Sequence, residues 1–312
     1  MKKILVLLAG LFLFQAQLFS IELSLSLEPK FGYSNKLMQD FLYSEYGSLN
    51  SRLDYEATSL FKTGMGMKFG VQNFFLETAY SVALPLHAGM LYDSDWHTED
   101  LKTSYSYHEM NTSFGCDFSS RIKYSFPCTK HISLAPLAAF EYYYLEVKAE
   151  NGIAWKGTTQ WTGLDHNVSW DSPYAAKKRV YGIDFYNSIS TFYLGLEAAL
   201  NFEKFFVEAK TLVSPYTSIL SVDHHLNKYE GTFYQMEQTG EFSVYKFELK
   251  GGWKHSKKNS VNLGSAFTFS KKMDGNLYFG YFAIPNDFIE ANESSSFKFS
   301  NFDLELSYEI KI

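Results

Sequence analysis

The sequence of 312 residues contains few cysteines, and it has no long hydrophobic run after its first 14 residues. Cys116 and Cys128 are too few for a disulfide framework. Cys116 falls within a predicted strand and Cys128 in a turn roughly eight strand residues further on, at about 3.3 Å per residue. This separation is too large for a disulfide, so we expect two unpaired thiols.

The single continuous apolar stretch lies at the N-terminus and is typical of a secretory signal peptide. Lys2 and Lys3 precede about 11 apolar residues, Ile4 to Phe14, which are too few to span a bilayer as a helix. We expect cleavage near Ser20, which would remove residues 1–20. No later window approaches the roughly 18 apolar residues of a membrane helix. The mean hydropathy of the chain is -0.19.

Charge and motif content argue against several other classes of protein. The formal net charge of -6 would repel phosphates, so nucleic acid is not an expected partner. The sequence has no Gly-x-Ser-x-Gly elbow, no phosphate-binding loop, no Gly-x-Gly-x-x-Gly after a strand and no His-Glu-x-x-His motif. No cofactor is therefore expected.

Aromatic residues, in contrast, are abundant: there are 23 tyrosines and 29 phenylalanines, and the aromatic content is 18%. Transmembrane β-barrels place such residues at both membrane interfaces and on their lipid-facing surface. The C-terminal segment alternates Phe302, Leu304, Leu306 and Tyr308 with polar or charged residues. One face of this predicted strand is therefore apolar and the other is wet, as in a barrel wall.

Similar segments predict ten strands, an even number as in bacterial outer-membrane barrels. The predicted strands are residues 21–34, 52–69, 73–87, 104–124, 131–149, 183–200, 203–222, 231–254, 259–272 and 297–312. Tight turns alternate with long polar connections, which are residues 35–51, 88–103, 150–182, 223–230 and 273–296. We predict an all-β fold with a single domain over residues 21–312: a transmembrane antiparallel β-barrel of ten strands with long extracellular loops.

Two acidic clusters, Asp93-Ser94-Asp95-Trp96 and Asp223-His224-His225, follow the third and seventh predicted strands, at the same outward end of the barrel. Alternate residues of a strand share a face, so Asp93 is grouped with Asp95, and Asp223 with His225. If both pairs pointed inward, three carboxylates and an imidazole would meet across the barrel.

The seventh strand needs a register shift to bring its cluster inward. Phe205 and Val207 are predicted to face outward, and strict alternation would then place Asp223 outward as well. Pro215 cannot donate a hydrogen bond to a neighbouring strand and commonly marks a bulge. We therefore predict a bulge near residues 213–216, which would turn Asp223 and His225 into the barrel.

Together these side chains could activate a water molecule. His225, oriented by Asp223, would take a proton from water, while Asp93 and Asp95 would hold that water from the opposite wall. The water would attack an amide carbonyl without a covalent intermediate, and the leaving amine would take the proton back. The same four residues are possible metal ligands, although an activated water is the favoured interpretation. A solvated loop is the alternative for each cluster taken alone.

The clusters resemble those of the omptin family of outer-membrane aspartyl endopeptidases, ten-stranded barrels with an Asp-x-Asp-Trp segment and an Asp-x-His segment on opposite walls of an outward-facing cleft. Leu53-Asp54-Tyr55 is similar to the family's Leu-Asp-Trp, and Gly89-Met90-Leu91-Tyr92 leads into the first cluster as in family members. The resemblance implies a catalytic Asp223–His225 dyad with Asp93 and Asp95 facing it. It also implies cleavage of exposed peptides beside basic residues, at the outer face of the bacterial outer membrane.

Departures from the family concern specificity. The family's acidic residue in the first outer loop, which helps to bind the basic side chain, corresponds to Asp40, and Trp96 is a second candidate substrate contact. Ser221 stands where the family has a second specificity carboxylate, so an altered preference is expected. Residues 140–144, without arginine, stand where many members carry a basic patch for lipopolysaccharide, so dependence on that lipid is not implied.

Other functions and the partners complete these expectations. In a non-enzymatic outer-membrane barrel, acting as an adhesin, pore or structural protein, the clusters would be polar loop residues without a catalytic role. A lipid-modifying barrel enzyme would need a serine nucleophile with a histidine partner near the lipid boundary, and no such spacing is evident. For the endopeptidase we expect peptide or protein substrates, contact with outer-membrane lipid and a monomer.

Overall fold

The computed structural model describes residues 23–98, 101–226, 231–281 and 289–312, so the predicted signal peptide lies outside the described residues. The elements are β1 (Leu23–Tyr43), β2 (Leu49–Val71), β3 (Phe74–Ala83), β4 (His87–Thr98), β5 (Leu101–Tyr124), β6 (Phe126–Pro127), β7 (Ile132–Lys156), helix α1 (Thr159–Thr162), β8 (Ala176–Val180), β9 (Ile183–Asn201), β10 (Phe205–His225), β11 (Thr232–Gly240), β12 (Val244–Lys254), β13 (Asn259–Ser270), β14 (Met273–Tyr281) and β15 (Ile289–Lys311).

The strands form one closed antiparallel sheet with ten positions around the ring. The path runs β1-β2-β3-β5-β7-β9-β10 and continues through β12 and β13 to β15, which pairs with β1 and closes the barrel. Further outward, β4 takes the place of β3, while β11 and β14 take the places of β12 and β13. The predicted ten-stranded antiparallel barrel is confirmed.

The strands extend further outward than the sequence indicates. Most of residues 35–51 belongs to β1 and β2, and most of residues 88–103 belongs to β4 and β5, although both segments are predicted as loops. Beyond the lipid both faces of the sheet can meet water, so the alternation that identifies a strand weakens there. A long connection remains at residues 157–175, which include α1. No helix within the described ranges is long and apolar enough to span a membrane.

Large apolar side chains are exposed on the outer surface of strands around the barrel, among them Phe31, Phe61, Phe118, Leu196, Leu249 and Leu306. Such a band is the lipid-facing surface of a transmembrane barrel. Its outward limit is near Phe61 on β2, Phe114 on β5 and Tyr216 on β10. Residues further along these strands toward the outward end therefore lie beyond the lipid.

Within the band, the barrel interior is filled with paired charges around a cavity of about 320 Å³. Lys123 Nζ lies 2.7 Å from Glu197 Oε1, and Lys246 Nζ lies 2.7 Å from Glu141 Oε1. Arg121 bonds both Glu141 and Glu248. Charges buried in this way are tolerated because each has a partner of opposite sign.

An apolar layer separates this charged interior from the outward end. Along the inward face of β1, Met38 lies between Lys36 and Asp40, which shows the order of the layers. The fully buried side chains of the layer include Leu53, Leu91, Met110, Leu145, Phe185, Ile219 and Phe297. The outward end of the barrel is therefore a cleft with an apolar floor.

Two of the bulges in the barrel turn side chains of β10 and β2 into that cleft. The predicted bulge in β10 is confirmed, because the register against β9 shifts between Val213 and Tyr216. A second shift occurs in β2, where Leu60 pairs with Ser34 but Ala57 pairs with Lys36, leaving one extra residue in β2. Each bulge reverses the alternation of its strand on the outward side.

Candidate active site

Asp223 lies on the inward face of β10, seven residues beyond Tyr216, because the bulge reverses the alternation of that strand. Its side chain is only 1% exposed. The Tyr55 hydroxyl donates a hydrogen bond to Asp223 Oδ1, while Oδ2 accepts none from the described residues. Asp223 is therefore a buried carboxyl group with one hydrogen-bonded oxygen and one oxygen without a donor among those residues.

Tyr55 lies on the opposite wall, six residues beyond Phe61 on β2. The bulge in β2 turns its ring inward, although Phe61 faces outward. The ring is fully buried and stacks on Phe185 of β9, with centroids 3.7 Å apart and planes 16° from parallel. Since Phe185 also pairs with Asp223 across β9 and β10, the stack brings the Tyr55 hydroxyl to Asp223.

Asp40 occupies the inward face of β1 and is fully buried. Neither of its carboxyl oxygens has a hydrogen-bond partner in the described part of the chain. Burial and the negative charge of Asp223 raise the pKa of Asp40 well above its usual value. Asp40 and Asp223 are therefore two buried carboxyl groups above the apolar floor of the cleft, and the negative charge of Asp223 disfavours ionisation of Asp40.

Burial in the cleft also raises the pKa values of Asp223 and Tyr55. Burial raises the pKa of Asp223 to about 7, against the opposing effect of the hydrogen bond from Tyr55. Burial and the negative charges of Asp223, Asp40 and Asp93 raise the pKa of Tyr55 well above its usual value. Tyr55 therefore keeps its proton and acts as a donor, and three carboxyl groups from three strands act on it.

Asp93 and Asp95 lie within β4, on the face that points into the cleft. Asp93 pairs with the buried Leu53, and Asp95 pairs with Ser51 of the same strand. Both aspartates are half-buried, and Lys156 Nζ lies 3.6 Å from Asp95 Oδ2. Asp95 is thus held toward β7 by a cation, whereas Asp93 lies close enough to influence Tyr55 electrostatically.

His225 follows Asp223 by two residues and shares its inward face. The half-buried ring lies edge-on to Tyr234, with the centroids 5.2 Å apart. His224 lies on the other face of β10 and stacks on Phe233 at 4.0 Å. The register therefore favours His225, rather than His224, as the imidazole of the cleft.

The remaining predicted contacts have different surroundings. Trp96 is half-buried at the outward end of β4, opposite Lys102, where the register is irregular. Ser221 is fully buried beneath Asp223 and accepts a 2.8 Å hydrogen bond from Asn187 Nδ2. The position that holds a carboxylate in the resembled family is therefore neutral and hydrogen-bonded here.

A buried Ser106–His108 pair on β5 extends the site, and sequence reasoning missed it. Ser106 Oγ lies 3.2 Å from His108 Nε2, and Ser106 pairs directly with Asp93 across the sheet. Burial and the charge of Lys156 lower the pKa of His108 to about 4, so its ring is neutral near neutral pH. His108 lies within the predicted strand 104–124, but the pairing of that strand with β4, which brings Ser106 opposite Asp93, is not contained in the sequence pattern.

The cleft therefore gathers Asp40, Tyr55, Asp93 and Asp223 from four strands, with His225 on the same face as Asp223. Within the described part of the chain, no group of three or more His, Cys, Asp or Glu residues could hold a metal ion. Cys116 and Cys128 are free thiols and lie outside the cleft.

The structure is similar to the crystal structure of the outer membrane protease OmpT from Escherichia coli, with a TM-score of 0.80 and 14% sequence identity. The similarity covers 93% of this chain and 97% of that chain. The translocator domain of the autotransporter NalP from Neisseria meningitidis has a TM-score of 0.33 at 8% identity, covering 92% of this chain and 88% of that chain. The Pseudomonas putida toluene transporter TodX has a TM-score of 0.28 at 8% identity, covering 93% and 90%.

No family model matches the sequence, and no curated protein matches it. At 14% identity the likeness to OmpT concerns the fold. The chain has the omptin barrel fold, as its motifs predict.

Proposed function

We propose that the chain is an outer-membrane endopeptidase that hydrolyses exposed peptides or proteins through a water molecule activated by Asp223 and His225, with Asp93 and Asp95 facing them. The observation that carries this proposal is the bulge in β10, which turns Asp223 and His225 into the cleft that Asp93 enters from β4. The fold supports it, because the similar OmpT is described as an outer membrane protease.

The proposed reaction consumes one water molecule and forms no covalent intermediate. His225 takes a proton from water while Asp223, in its ionised form, orients the imidazole and stabilises the imidazolium. The resulting hydroxide adds to the carbonyl carbon of the scissile amide. Asp93 and Asp95 accept a hydrogen bond from the remaining O–H of the water, which keeps its hydrogen, and fix its position. The C–N bond then breaks as His225 returns its proton to the leaving amine.

We further propose cleavage beside basic residues. Asp40 and Asp223 are buried and contact no basic side chain among the residues that the structure describes, and a lysine or arginine side chain of the substrate would offset their negative charge. Asp40 is the proposed acceptor of that side chain, and Trp96 contacts the substrate at the rim. Since Ser221 contributes no second carboxylate, the preference for basic residues should be weaker than with two acidic groups.

The surroundings of the site define its proposed partners. The apolar band contacts outer-membrane lipid, and the cleft beyond it faces outward, where peptide and protein substrates are accessible. The proposed enzyme acts as a monomer, and its chemistry needs no metal or other cofactor. An acidic cleft also disfavours nucleic acid.

The test is cleavage of peptides containing paired basic residues by the protein refolded in detergent. Asp223→Asn and His225→Ala are expected to lower kcat by at least about 100-fold, the lower range for general acid–base groups. The matched control changes Asp165 and His166, an exposed Asp–His pair with a 2.6 Å contact in the loop after α1. Full activity of Asp223→Asn and His225→Ala would exclude the proposal.

A non-enzymatic pore is the alternative function, and a conductance measurement distinguishes it from the endopeptidase. The apolar layer around Met38, Leu91 and Phe185 closes the barrel beneath the cleft, so planar bilayers containing the protein should show no steady conductance. Ion conductance together with absent peptidase activity would favour the non-enzymatic barrel.

A further inference from the structure

We propose that Tyr55 is a positioning residue of the cleft: its hydroxyl holds Asp223 from the opposite wall of the barrel and leaves Asp223 Oδ2 available to His225. This inference rests on the proposed function, because it assigns Tyr55 a part in the same reaction. The family that the site resembles has tryptophan at this position. Tryptophan donates a hydrogen bond from its ring nitrogen, whereas Tyr55 donates from a hydroxyl at the end of its ring.

The first support is the span of the contact. β2 and β10 are five positions apart in a ring of ten, so the two residues approach from opposite walls. The Tyr55 hydroxyl nevertheless donates to Asp223 Oδ1. A donor that crosses the barrel fixes the distance between its walls at the level of the proposed dyad.

The second support is the rigidity of the tyrosine. Its side chain is fully buried, and its ring is stacked on Phe185 with centroids 3.7 Å apart. Met38 and Leu91, its cross-strand neighbours, are also fully buried. A donor held by packing on several sides costs little ordering entropy when it bonds the carboxylate.

The third support is the surroundings of Asp223. The titratable groups near it are Asp40 from β1, Tyr55 from β2, His225 on its own strand and Tyr234 from β11, while Asp93 from β4 acts on Tyr55. β9 contributes the apolar Phe185. Burial disfavours the ionised form of Asp223, whereas the Tyr55 hydrogen bond favours it. Tyr55 therefore helps to keep Asp223 ionised.

The consequence is a shift in pH dependence when the hydroxyl is removed. The free energy of a hydrogen bond to a charged group corresponds to a pKa change of about one to two pH units. In Tyr55→Phe the pKa of Asp223 should rise by that amount, because the ionised form loses its donor while the stacked ring remains. The acid limb of kcat/KM should move to higher pH by the same amount, with rates at pH 6 falling by roughly 10- to 100-fold.

The matched control is Tyr143→Phe, which removes another buried tyrosine hydroxyl, deeper in the barrel and without a hydrogen-bond partner among the described residues. This variant should keep the wild-type acid limb. In an Asp223→Asn background, Tyr55→Phe should have no further effect on kcat, because the group through which it acts is already absent. An unchanged acid limb in Tyr55→Phe overturns the proposal.

A second modification keeps the shape of the side chain. 3-Fluorotyrosine at position 55 has a more acidic hydroxyl and therefore donates a stronger hydrogen bond. The acid limb should then move to lower pH, opposite to the shift in Tyr55→Phe. A shift in the same direction as Tyr55→Phe would show that ring packing, rather than the hydrogen bond, controls Asp223.

A titration without substrate separates this inference from the proposed function. The carboxyl 13C resonance of Asp223, assigned by its loss in Asp223→Asn, reports the pKa directly in detergent micelles. It should titrate at higher pH in Tyr55→Phe than in the wild type. An inactive wild type in which this shift is present refutes the peptidase but retains the Tyr55–Asp223 coupling. An equal titration in both proteins refutes the coupling whatever the activity.

Discussion

Replacing Asp223 with asparagine is expected to stabilise the barrel at alkaline pH, although it removes a group on which the proposed chemistry depends. Asparagine retains an oxygen that can accept the Tyr55 hydrogen bond, so the main change is the loss of a buried negative charge. The pKa of Asp223 is raised from 3.8 to about 7, mainly by burial. A difference of about three pH units corresponds to about 4 kcal/mol.

The sign follows from proton binding. Between about pH 4 and pH 7 the unfolded chain has released the Asp223 proton, whereas the folded protein still holds it. The folded state binds more protons in that window, so wild-type stability falls as the pH rises and levels off above about pH 7. Because the titrations of Asp40 and Asp223 are coupled, Asp223 alone should account for about 2 to 4 kcal/mol of the lost free energy of unfolding.

The assay is urea unfolding in lipid vesicles, followed by tryptophan fluorescence between pH 4 and pH 8. The stability difference between Asp223→Asn and the wild type should increase in favour of the variant across this range. Asp274→Asn, which changes an exposed aspartate on β14, is the control and should show little change. A difference that stays constant from pH 4 to pH 8 would refute the reasoning, because it would mean that Asp223 ionises normally in the folded barrel.

Three further predictions concern the bulge, the buried histidine and the charged interior. Deleting Pro215 should remove the extra residue from β10, turn Asp223 and His225 outward and abolish peptidase activity. Heat-modifiable gel mobility should still show a folded barrel. Retained activity would contradict the role of the bulge. Gly152→Val should destabilise the protein by about 1 to 3 kcal/mol in urea unfolding, because a Cβ there would lie 2.2 Å from His108 Cε1, and an unchanged midpoint would show that the ring moves freely. Glu248→Ala should cost about 3 to 5 kcal/mol in the same assay, because it removes a shared partner of Arg121 and Lys246; a loss below about 1 kcal/mol would mean that water replaces the carboxylate.

The two bulges differ in how far the sequence reveals them. Pro215 cannot take part in the β10 ladder as a donor, so the sequence marks the place where the alternation must change. The bulge in β2 contains no proline or glycine, and Phe61 and Tyr55 are an even number of positions apart along the strand. Simple alternation therefore places both rings on the outer surface. The inward position of Tyr55 depends on long-range pairing with β1, which a local pattern does not contain.

The outward parts of the strands illustrate a different limit. Asp93 and Asp95 are predicted just beyond the third strand, whereas the structure continues that wall as β4 through both residues. Hydrophobic alternation requires one wet and one apolar face, and neither the cleft side nor the outer side of β4 is uniformly apolar. The consequence for the site is favourable, because residues held in a sheet are placed more rigidly than residues of a loop.

The layers of the interior connect the fold to the proposed chemistry. Ion pairs such as Lys123–Glu197 and Lys246–Glu141 lie in the barrel at the level of the lipid, whereas no cation among the described residues pairs with Asp40 or Asp223 above the apolar floor. If the carboxyl groups were only structural, pairing them as in the lower interior would be the more stable arrangement. Their burial instead raises their pKa values, and raised carboxyl pKa values are found where a protein needs a proton acceptor near neutral pH. The contrast between the two levels is therefore the strongest physical reason to regard the cleft, and not the charged interior, as the site of function.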